Sequence, residues 1–446
     1  INRKYSEGVT PDNNAAVLIV RALGAEALLL DDEETRRRIL CALGMTDLPD
    51  EANCFVTFDD WLQSKSLVLQ RSDGSEACPD DLLEEAVSDP WTAPACPVLT
   101  QWLEANAQPL DDLVEASRRE RYYMPHLPRT DPSEMLELSG SNVLLLRYMV
   151  HALTARSMLH LGHGDVKAAW QDAFAAQRLG RLMMQDWLTS ACLIANRIES
   201  FGAKAATRIA VAGDLSLAEA KGMLADLQSL PLAPDACSPV ENESFLLLYC
   251  AQAMFYWGRV PGGGPQPAQL GPHVAYAADV NVILRRMNYW FDRKAECSRG
   301  TRAERDEKRR FYDAEVQAIY GSETWWKTRL LLYQIAGNAC KTARSQAVAD
   351  MLANSFMSPV SLCVAARDFA LAHTDLAKVA LALAAHKSRT GQFPDKLVAL
   401  VPGDIAAIPP DRFADGPPIY RRTEKGYILY SIGEDLADDG GITEDE

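Results

Sequence analysis

The chain has 446 residues, of which 48% are hydrophobic and 24% are charged, so it can bury a large core and is not a disordered, collagen-like or coiled-coil chain. Its 61 acidic and 45 basic residues give a net charge of -16. This charge argues against nonspecific binding to nucleic acid or anionic lipid, and it favours a basic partner over an acidic one.

Helical signals dominate the N-terminal part of the chain. Thr10 followed by Pro11 is typical of a helix start, and the apolar pattern that follows ends at Gly24. Residues 47–100 are rich in Asp, Pro and Ser, and we expect them to be irregular. The spacing of apolar residues in this part predicts three helices, over 10–24, 31–44 and 109–123.

A helical hairpin is predicted in the centre of the chain. Apolar residues keep helical spacing from Asn142 until Gly162-His163-Gly164-Asp165, which ends one helix and caps the next. Residues 152–182 resemble a tetratricopeptide unit, but no second copy follows at a distance of about 34 residues. Ser216 and Glu219 have the spacing of a capping box. Further helices are predicted over 187–211, 218–230, 239–255, 278–296, 301–319, 325–351 and 360–390.

The pattern changes near the C-terminus. Alternation and turn residues predict a β-hairpin whose strands contain Ile419-Tyr420 and Tyr427–Tyr430. The predicted fold is therefore mainly α, an irregular array of antiparallel helical hairpins with a small C-terminal α+β hairpin segment. We expect an N-terminal helical and loop region over 1–130, the hairpin array over 131–360, and a C-terminal helix, hairpin and acidic tail over 361–446.

The sequence contains few patterns that are typical of catalytic or metal-binding sites. The sequence contains no His-Glu-x-x-His, Gly-x-Ser-x-Gly or phosphate-loop pattern, and Gly262–Gly264 are best explained as an interhelix loop. His160 and His163 are three residues apart and could share a metal, although a helix C-terminus also favours His through its dipole. These absences favour a protein that is not an enzyme.

The ten cysteines contain no Cys-x-x-Cys pair, which argues against a thiolate zinc site. Half of them lie in helical apolar patterns and are expected in the core, namely Cys41, Cys192, Cys250, Cys340 and Cys363. The others could form disulfides in an oxidising compartment, namely Cys54, Cys78, Cys96, Cys237 and Cys297.

Aromatic clusters provide one candidate binding site. Trp257, Trp290 and Trp325 each have aromatic neighbours and, for the last two, nearby Arg or Lys residues. They could line a groove for a peptide or glycan through stacking and cation–π contacts. The alternative is packing between helices, because adjacent aromatic residues on a helix cannot all face one way.

The acidic tail provides a second candidate site. Asp435, Asp438 and Asp439 follow the second predicted strand in a glycine-hinged loop, and such oxygen ligands suit calcium. The ligand order of an EF-hand is missing, and a solubilising tail is the alternative.

The C-terminal segment resembles the major pseudopilins of type II secretion. The motifs that carry the resemblance are Phe393-Pro394, Pro409-Pro410-Asp411-Arg412-Phe413 and Tyr430-Ser431-Ile432-Gly433 followed by Asp435. In that family the last motif forms a calcium-binding loop. The resemblance implies calcium binding by Asp435, with Asp438 and Asp439 approximately matching the later acids, whereas Arg412 stands where the family has proline.

A second resemblance covers most of the chain. The N-terminal stretch 8–16, the Leu161–Asp165 turn and the C-terminal motifs are similar to exported proteins of planctomycete-type bacteria, in which a short membrane anchor precedes a helical ectodomain. The resemblance implies a periplasmic or cell-envelope location, with an export or anchor segment before Ile1.

Helical arrays often present a surface to another protein. We therefore expect a noncatalytic scaffold or interaction subunit of an envelope or surface assembly, with other proteins as partners. A hydrolase or binding protein for glycan or peptide that uses the aromatic groove is the alternative.

Overall fold

A computed structural model of the protein describes residues 2–25, 33–50, 53–69, 78–127, 141–232, 278–320, 341–356, 360–414, 416–438 and 440–441, with isolated positions between 242 and 252. Over these residues the fold is mainly helical, with 15 helices and one small antiparallel sheet, as the sequence predicts.

Seven helices form the N-terminal part. They are α1 (Asn2–Tyr5), α2 (Ala15–Leu23), α3 (Glu33–Leu43), α4 (Phe58–Ser64), α5 (Pro79–Ser88), α6 (Pro97–Ala105) and α7 (Ala107–Ala116).

Helix α2 begins later than its sequence predicts. Its N-cap is Asn14, whose side chain accepts a hydrogen bond from the Ala16 amide, and not Thr10. Asn14 also donates through Nδ2 to the Tyr123 carbonyl at 2.9 Å, and the backbone of Ala15 donates to the Arg121 carbonyl. These contacts hold Asn14 in an extended conformation after a turn at residues 11–13, so the helix starts only after Asn14.

Helices α4 to α6 occupy a region that was predicted to be irregular. Pro79 and Pro97 each stand at the beginning of a helix, where their missing amide costs no hydrogen bond. Thr57 caps α4 by accepting from the Asp60 amide. The prolines that suggested loops are therefore helix-start signals.

The central helices agree with the predicted hairpin. They are α8 (Ser141–Gly162), α9 (Val166–Met183), α10 (Thr189–Ala212) and α11 (Leu217–Ser229). Asp165 caps α9 by accepting from the Ala168 amide, and the capping box of Ser216 and Glu219 is present at the start of α11.

The C-terminal half adds α12 (Val280–Glu296), α13 (Arg302–Tyr320), α14 (Lys341–Phe356) and α15 (Val360–Thr390). A 3-10 turn (Leu397–Leu400) precedes the predicted hairpin, in which β1 (Ile419–Arg422) pairs antiparallel with β2 (Tyr427–Tyr430). The helix predicted over 239–255 lies largely outside the described residues, as do residues 325–340 of the helix predicted over 325–351, whose remainder falls in α14.

Helix α10 is the centre of the packing. It contacts α8, α9 and α15, while α11 packs on α15. Two glycines allow α9 and α10 to approach closely. A Cβ added at Gly180 would lie 2.7 Å from the Ala195 carbonyl oxygen, and one at Gly202 would lie 2.6 Å from the Ala173 carbonyl oxygen. Any larger residue at these positions would push the helices apart.

The hydrophobic core extends across the predicted module boundaries. One buried cluster joins α2 to α7 with α8, α9 and α10, and a second joins α8 to α11 with α15 and Leu400. The divisions at 130 and 360 stay predictions.

In the part of the chain that the structure describes, no helix has the length and apolarity needed to cross a membrane.

The close crossing of α9 and α10 generates a stability prediction. Gly202→Ala should lower the free energy of unfolding by about 1–3 kcal/mol, because the added methyl overlaps the backbone of α9. Gly222→Ala is the matched control, since a Cβ there meets nothing within 4 Å and alanine should raise helix stability by about 0.5–1 kcal/mol. Urea unfolding followed by circular dichroism measures both changes. If both substitutions changed the free energy of unfolding in the same direction, the close approach of α9 and α10 at Gly202 would be contradicted.

His151 is a buried, neutral histidine in α8. Its ring meets Phe201 edge to face with 4.2 Å between centroids, and among the described residues its Nε2 has no hydrogen-bond partner. Burial lowers the pKa of His151 to about 4, and the charges of Arg147 and Arg197 act in the same direction.

The buried state of His151 predicts an acid-dependent loss of stability. Between pH 6.5 and about 4 the unfolded chain takes up a proton on His151 that the folded chain does not, so the free energy of unfolding falls as the pH falls. The contribution levels off below pH 4 and is on the order of 3 kcal/mol. His151→Phe should remove this contribution. The free energy of unfolding of the variant should therefore differ less between pH 7 and pH 4.5 than that of the unaltered protein. An unchanged difference would show that His151 is not the group responsible.

Candidate functional site

The structure places Trp290 in the core. Its side chain is 2% exposed, and its indole Nε1 donates to Asp350 Oδ1 at 2.6 Å. Tyr312 packs against it edge to face, and the Arg286 guanidinium lies 4.9 Å from its ring centroid. Trp290 therefore has the packing role that was the alternative to a groove. Trp257 and Trp325 lie outside the described residues, and the aromatic groove stays a prediction.

The acidic tail forms local turns. Asp435 Oδ1 accepts from the Ala437 amide, and Asp438 Oδ1 accepts from the Tyr430 hydroxyl and the Gly440 amide. The hydrogen bond from Tyr430 holds the pKa of Asp438 below its usual value. Asp439 lies outside the described residues.

The aspartate of the Pro409–Phe413 motif has a clear structural role. Asp411 is buried and accepts hydrogen bonds from the Phe413 amide, the Ser431 hydroxyl and the Ile432 amide. It therefore ties the end of β2 to the segment before β1. Within the described residues no group of three or more His, Cys, Asp or Glu side chains is arranged to hold a metal ion, and calcium stays a prediction from the resemblance.

The two candidate histidines face different neighbours. His163 Nε2 accepts from the Ala93 amide at 3.3 Å, whereas His160 Nε2 lies 3.9 Å from an Asp172 carboxylate oxygen. Each therefore contacts another part of the protein.

The described cysteines only partly follow their predicted placement. Cys192 and Cys363 are buried as expected, but Cys41 is exposed. Cys78, Cys96 and Cys297, which were candidates for pairing, form no disulfide within the described part of the chain.

A groove runs along α9 on the surface of the protein. It is lined by residues 117–120 after α7, by α9 and the residues after it from 167 to 185, and by residues 226–232 at the end of α11. It consists of two cavities of about 460 and 240 Å³ that share Ser117, Arg118, Phe174 and Arg178. We call this continuous feature the α9 groove.

Three side chains on one face of α9 form a row along the groove. Trp170, Phe174 and Arg178 are four residues apart and therefore lie one above the other on the helix. The Trp170 and Phe174 rings stack with 5.8 Å between centroids and 6° between planes. The Arg178 guanidinium lies 5.8 Å from the Phe174 centroid, a cation–π distance. Trp170 Nε1 donates to Asp226 at 2.8 Å, which fixes the end of the row.

The Arg178 side chain forms no hydrogen bond or ion pair with another described residue, although it is only partly exposed. Burial lowers the pKa of Arg178, the positive charge of Arg118 lowers it further, and Asp226 acts in the opposite direction. The guanidinium nevertheless stays protonated at neutral pH. The groove therefore presents a partly desolvated cation beside an apolar row.

The other basic residues of the groove are held to different degrees. Arg118 pairs with Glu115 at 2.9 Å, but both side chains are about half exposed, so the pair contributes little stability. Arg119 donates to the Asp12 carbonyl and lies 3.8 Å from Glu115. Lys167 is exposed at the far end.

Arg181 connects the groove to a buried charge cluster. Its guanidinium lies 2.7 Å from Glu199 Oε1 and donates to the Pro231 carbonyl at 2.8 Å. Glu199, on α10, is fully buried and also accepts from Thr374 on α15 at 3.1 Å. Arg367 lies 3.5 Å from its other oxygen, and burial lowers the pKa of Arg367 to about 10 although Glu199 opposes this. The cluster fixes Arg181 and joins α9, α10 and α15.

A separate cavity of about 240 Å³ lies between α12, α13 and α15. Its charges compensate one another, since Arg305 forms an ion pair with Asp368, and Asp306 lies close to both Arg302 and Arg309. The cavity therefore provides a weaker reason to expect a charged ligand than the α9 groove does.

The α9 groove was missed by the sequence analysis, although one signal for it was present. The four-residue spacing of Trp170, Phe174 and Arg178 is visible in the sequence. The contributions of residues 117–120 and 226–232 come from distant parts of the chain and have no local signal.

The chain matches no protein-family model, no curated protein and no solved structure. The assignment of a function therefore rests on the sequence and on the geometry of the groove.

The buried cluster generates a further stability prediction. Glu199→Ala should lower the free energy of unfolding by about 3–5 kcal/mol, because it leaves the Arg181 and Arg367 guanidiniums buried without their carboxylate. Thr374→Val, which removes one neutral hydrogen-bond donor, should cost about 1 kcal/mol and serves as the comparison. Equal losses for the two variants in urea unfolding would show that Glu199 does not hold the cluster together.

Proposed function

We propose that the protein is a noncatalytic scaffold or interaction subunit that binds a segment of a partner polypeptide in the α9 groove. The observation that carries the proposal is Arg178, a partly buried cation without a described ionic partner, beside the stacked rings of Trp170 and Phe174. A site that combines an apolar surface with a few fixed polar groups is typical of ligand binding.

The dimensions of the groove fit an extended peptide. From Lys167 to Leu182 the axis of α9 rises about 22 Å, at 1.5 Å per residue. An extended chain of about seven residues has this length. Apolar side chains also line the far side, where Leu230 is partly buried and Leu232 is 96% exposed.

The floor of the groove is suited to binding because it is rigid. Arg181 is fixed by Glu199 and by the Pro231 carbonyl, and α9 is packed closely against α10 at Gly180 and Gly202. A surface that is already ordered loses little conformational entropy when a partner binds.

The proposal keeps the predicted location in the periplasm or cell envelope and the assembly of the protein with other envelope components. The location rests on the resemblance to exported helical proteins, and the assembly rests on the tendency of helical arrays to bind other proteins. Calcium binding by Asp435, Asp438 and Asp439 rests on the pseudopilin resemblance and is separate from the groove.

Retention of partners by variants of the groove tests this function. We expect the tagged protein, isolated from its native envelope fraction under mild conditions, to retain a polypeptide that Arg178→Glu loses. Lys221→Glu makes the same change of charge at an exposed position of α11 outside the groove and should retain it. Circular dichroism would verify that both variants are folded.

Two results would contradict the proposal. One is the same retained polypeptides with Arg178→Glu as with the unaltered protein. The other is a parent protein that elutes at its monomeric mass without any polypeptide.

A further inference from the structure

The sign of the charge in the α9 groove is opposite to that of the chain. The chain carries a net charge of -16, yet basic side chains dominate the groove. These are Lys167, Arg118, Arg119, Arg178 and Arg181. The acidic side chains that line the groove are Glu120 and Asp226, and Asp226 already accepts the hydrogen bond of Trp170. A local concentration of positive charge selects an anionic ligand.

We propose that the occupant of the α9 groove is an acidic segment of a partner protein, whose carboxylates bind Arg178 and Arg118 while an apolar side chain packs on Phe174. This inference rests on the proposed function and names the chemistry of its partner.

Arg178 is the residue of the groove best placed to bind an anion. Its guanidinium has lost part of its hydration, and no carboxylate in the described residues replaces the lost water. A carboxylate could accept two parallel hydrogen bonds from it, which are stronger than hydrogen bonds between neutral groups. Such a ligand would also relieve the repulsion between Arg178 and Arg118.

Arg118 can join Arg178 in binding the ligand, whereas Arg181 cannot. The pair between Arg118 and Glu115 is exposed and weak, so a ligand carboxylate can replace Glu115 at little cost. Arg181 has its guanidinium committed to Glu199 and to the Pro231 carbonyl. Recognition of acids is therefore assigned to Arg178 and Arg118.

The apolar surface distinguishes a polypeptide from a nucleic acid. Phe174 is partly exposed between Arg178 and Trp170, and Leu230, Pro231 and Leu232 form the opposite side. Aliphatic and aromatic side chains of a peptide fit this surface. The large negative charge of the whole chain disfavours a polyphosphate, which would interact with that charge along its length.

Peptide binding tests the inference directly. Three fluorescein-labelled peptides of about seven residues alternate leucine with glutamate, with glutamine or with lysine. Their affinities are measured by fluorescence anisotropy at about 0.15 M salt, where the repulsion from distant charges is screened. We expect the glutamate peptide to bind at least about tenfold more tightly than the glutamine peptide, and the lysine peptide to bind least.

The variants assign the effect to the groove. Arg178→Gln should weaken binding of the glutamate peptide by about tenfold and change binding of the glutamine peptide little, because only the former uses the charge. Lys221→Gln, outside the groove, should leave both affinities unchanged.

Equal affinity for the glutamate and glutamine peptides, or no binding of the glutamate peptide, would overturn the inference. Tighter, Arg178-dependent binding of a single-stranded oligonucleotide would overturn it as well. The proposed function fails on a different result, the retention of native partners by Arg178→Glu, so the two failures can be distinguished.

Discussion

The close crossing of α9 and α10 positions both the buried charges of the core and the floor of the α9 groove. At Gly180 the two backbones approach so closely that a Cβ would lie 2.7 Å from the Glu199 amide nitrogen. The same crossing buries Glu199, whose charge must then be compensated inside the protein. Arg181 compensates it from α9, and Arg367 does so from α15. Because Arg181 also lines the α9 groove, the packing of the core determines the position of the groove floor.

Net charge and local charge lead to different expectations about the partner. The value of -16 for the whole chain favours a basic partner, whereas the α9 groove favours an acidic one. At physiological salt, exposed charges act over about 8 Å, so a ligand in the groove interacts mainly with Arg178 and its neighbours and not with the total charge. The total charge instead reduces nonspecific binding to other anions, which increases the selectivity of a basic groove.

The fold was predictable where its signals are local. The capping box of Ser216 and Glu219 and the β-hairpin ending at Tyr430 depend on a few adjacent residues, and both were predicted correctly. The start of α2 was not, because its cap Asn14 is held by residues 109 positions away. The groove shows the same limit. Arg178 has no described ionic partner, whereas Arg181 pairs with Glu199 and donates to the Pro231 carbonyl, and this difference depends on side chains and backbone from other parts of the chain. No sequence spacing records that difference.

Site-specific crosslinking in the native cell tests whether the α9 groove binds an acidic segment of a partner protein. A photoreactive phenylalanine analogue placed at Phe174 lies inside the α9 groove, and the same analogue at Val211, an exposed residue of α10 outside the groove, serves as the control. We expect mass spectrometry to find crosslinks from position 174 to one acidic stretch of a partner protein, and none to that stretch from position 211. Crosslinks to the same stretch from both positions, or none from position 174, would contradict the assignment of the groove as the binding site.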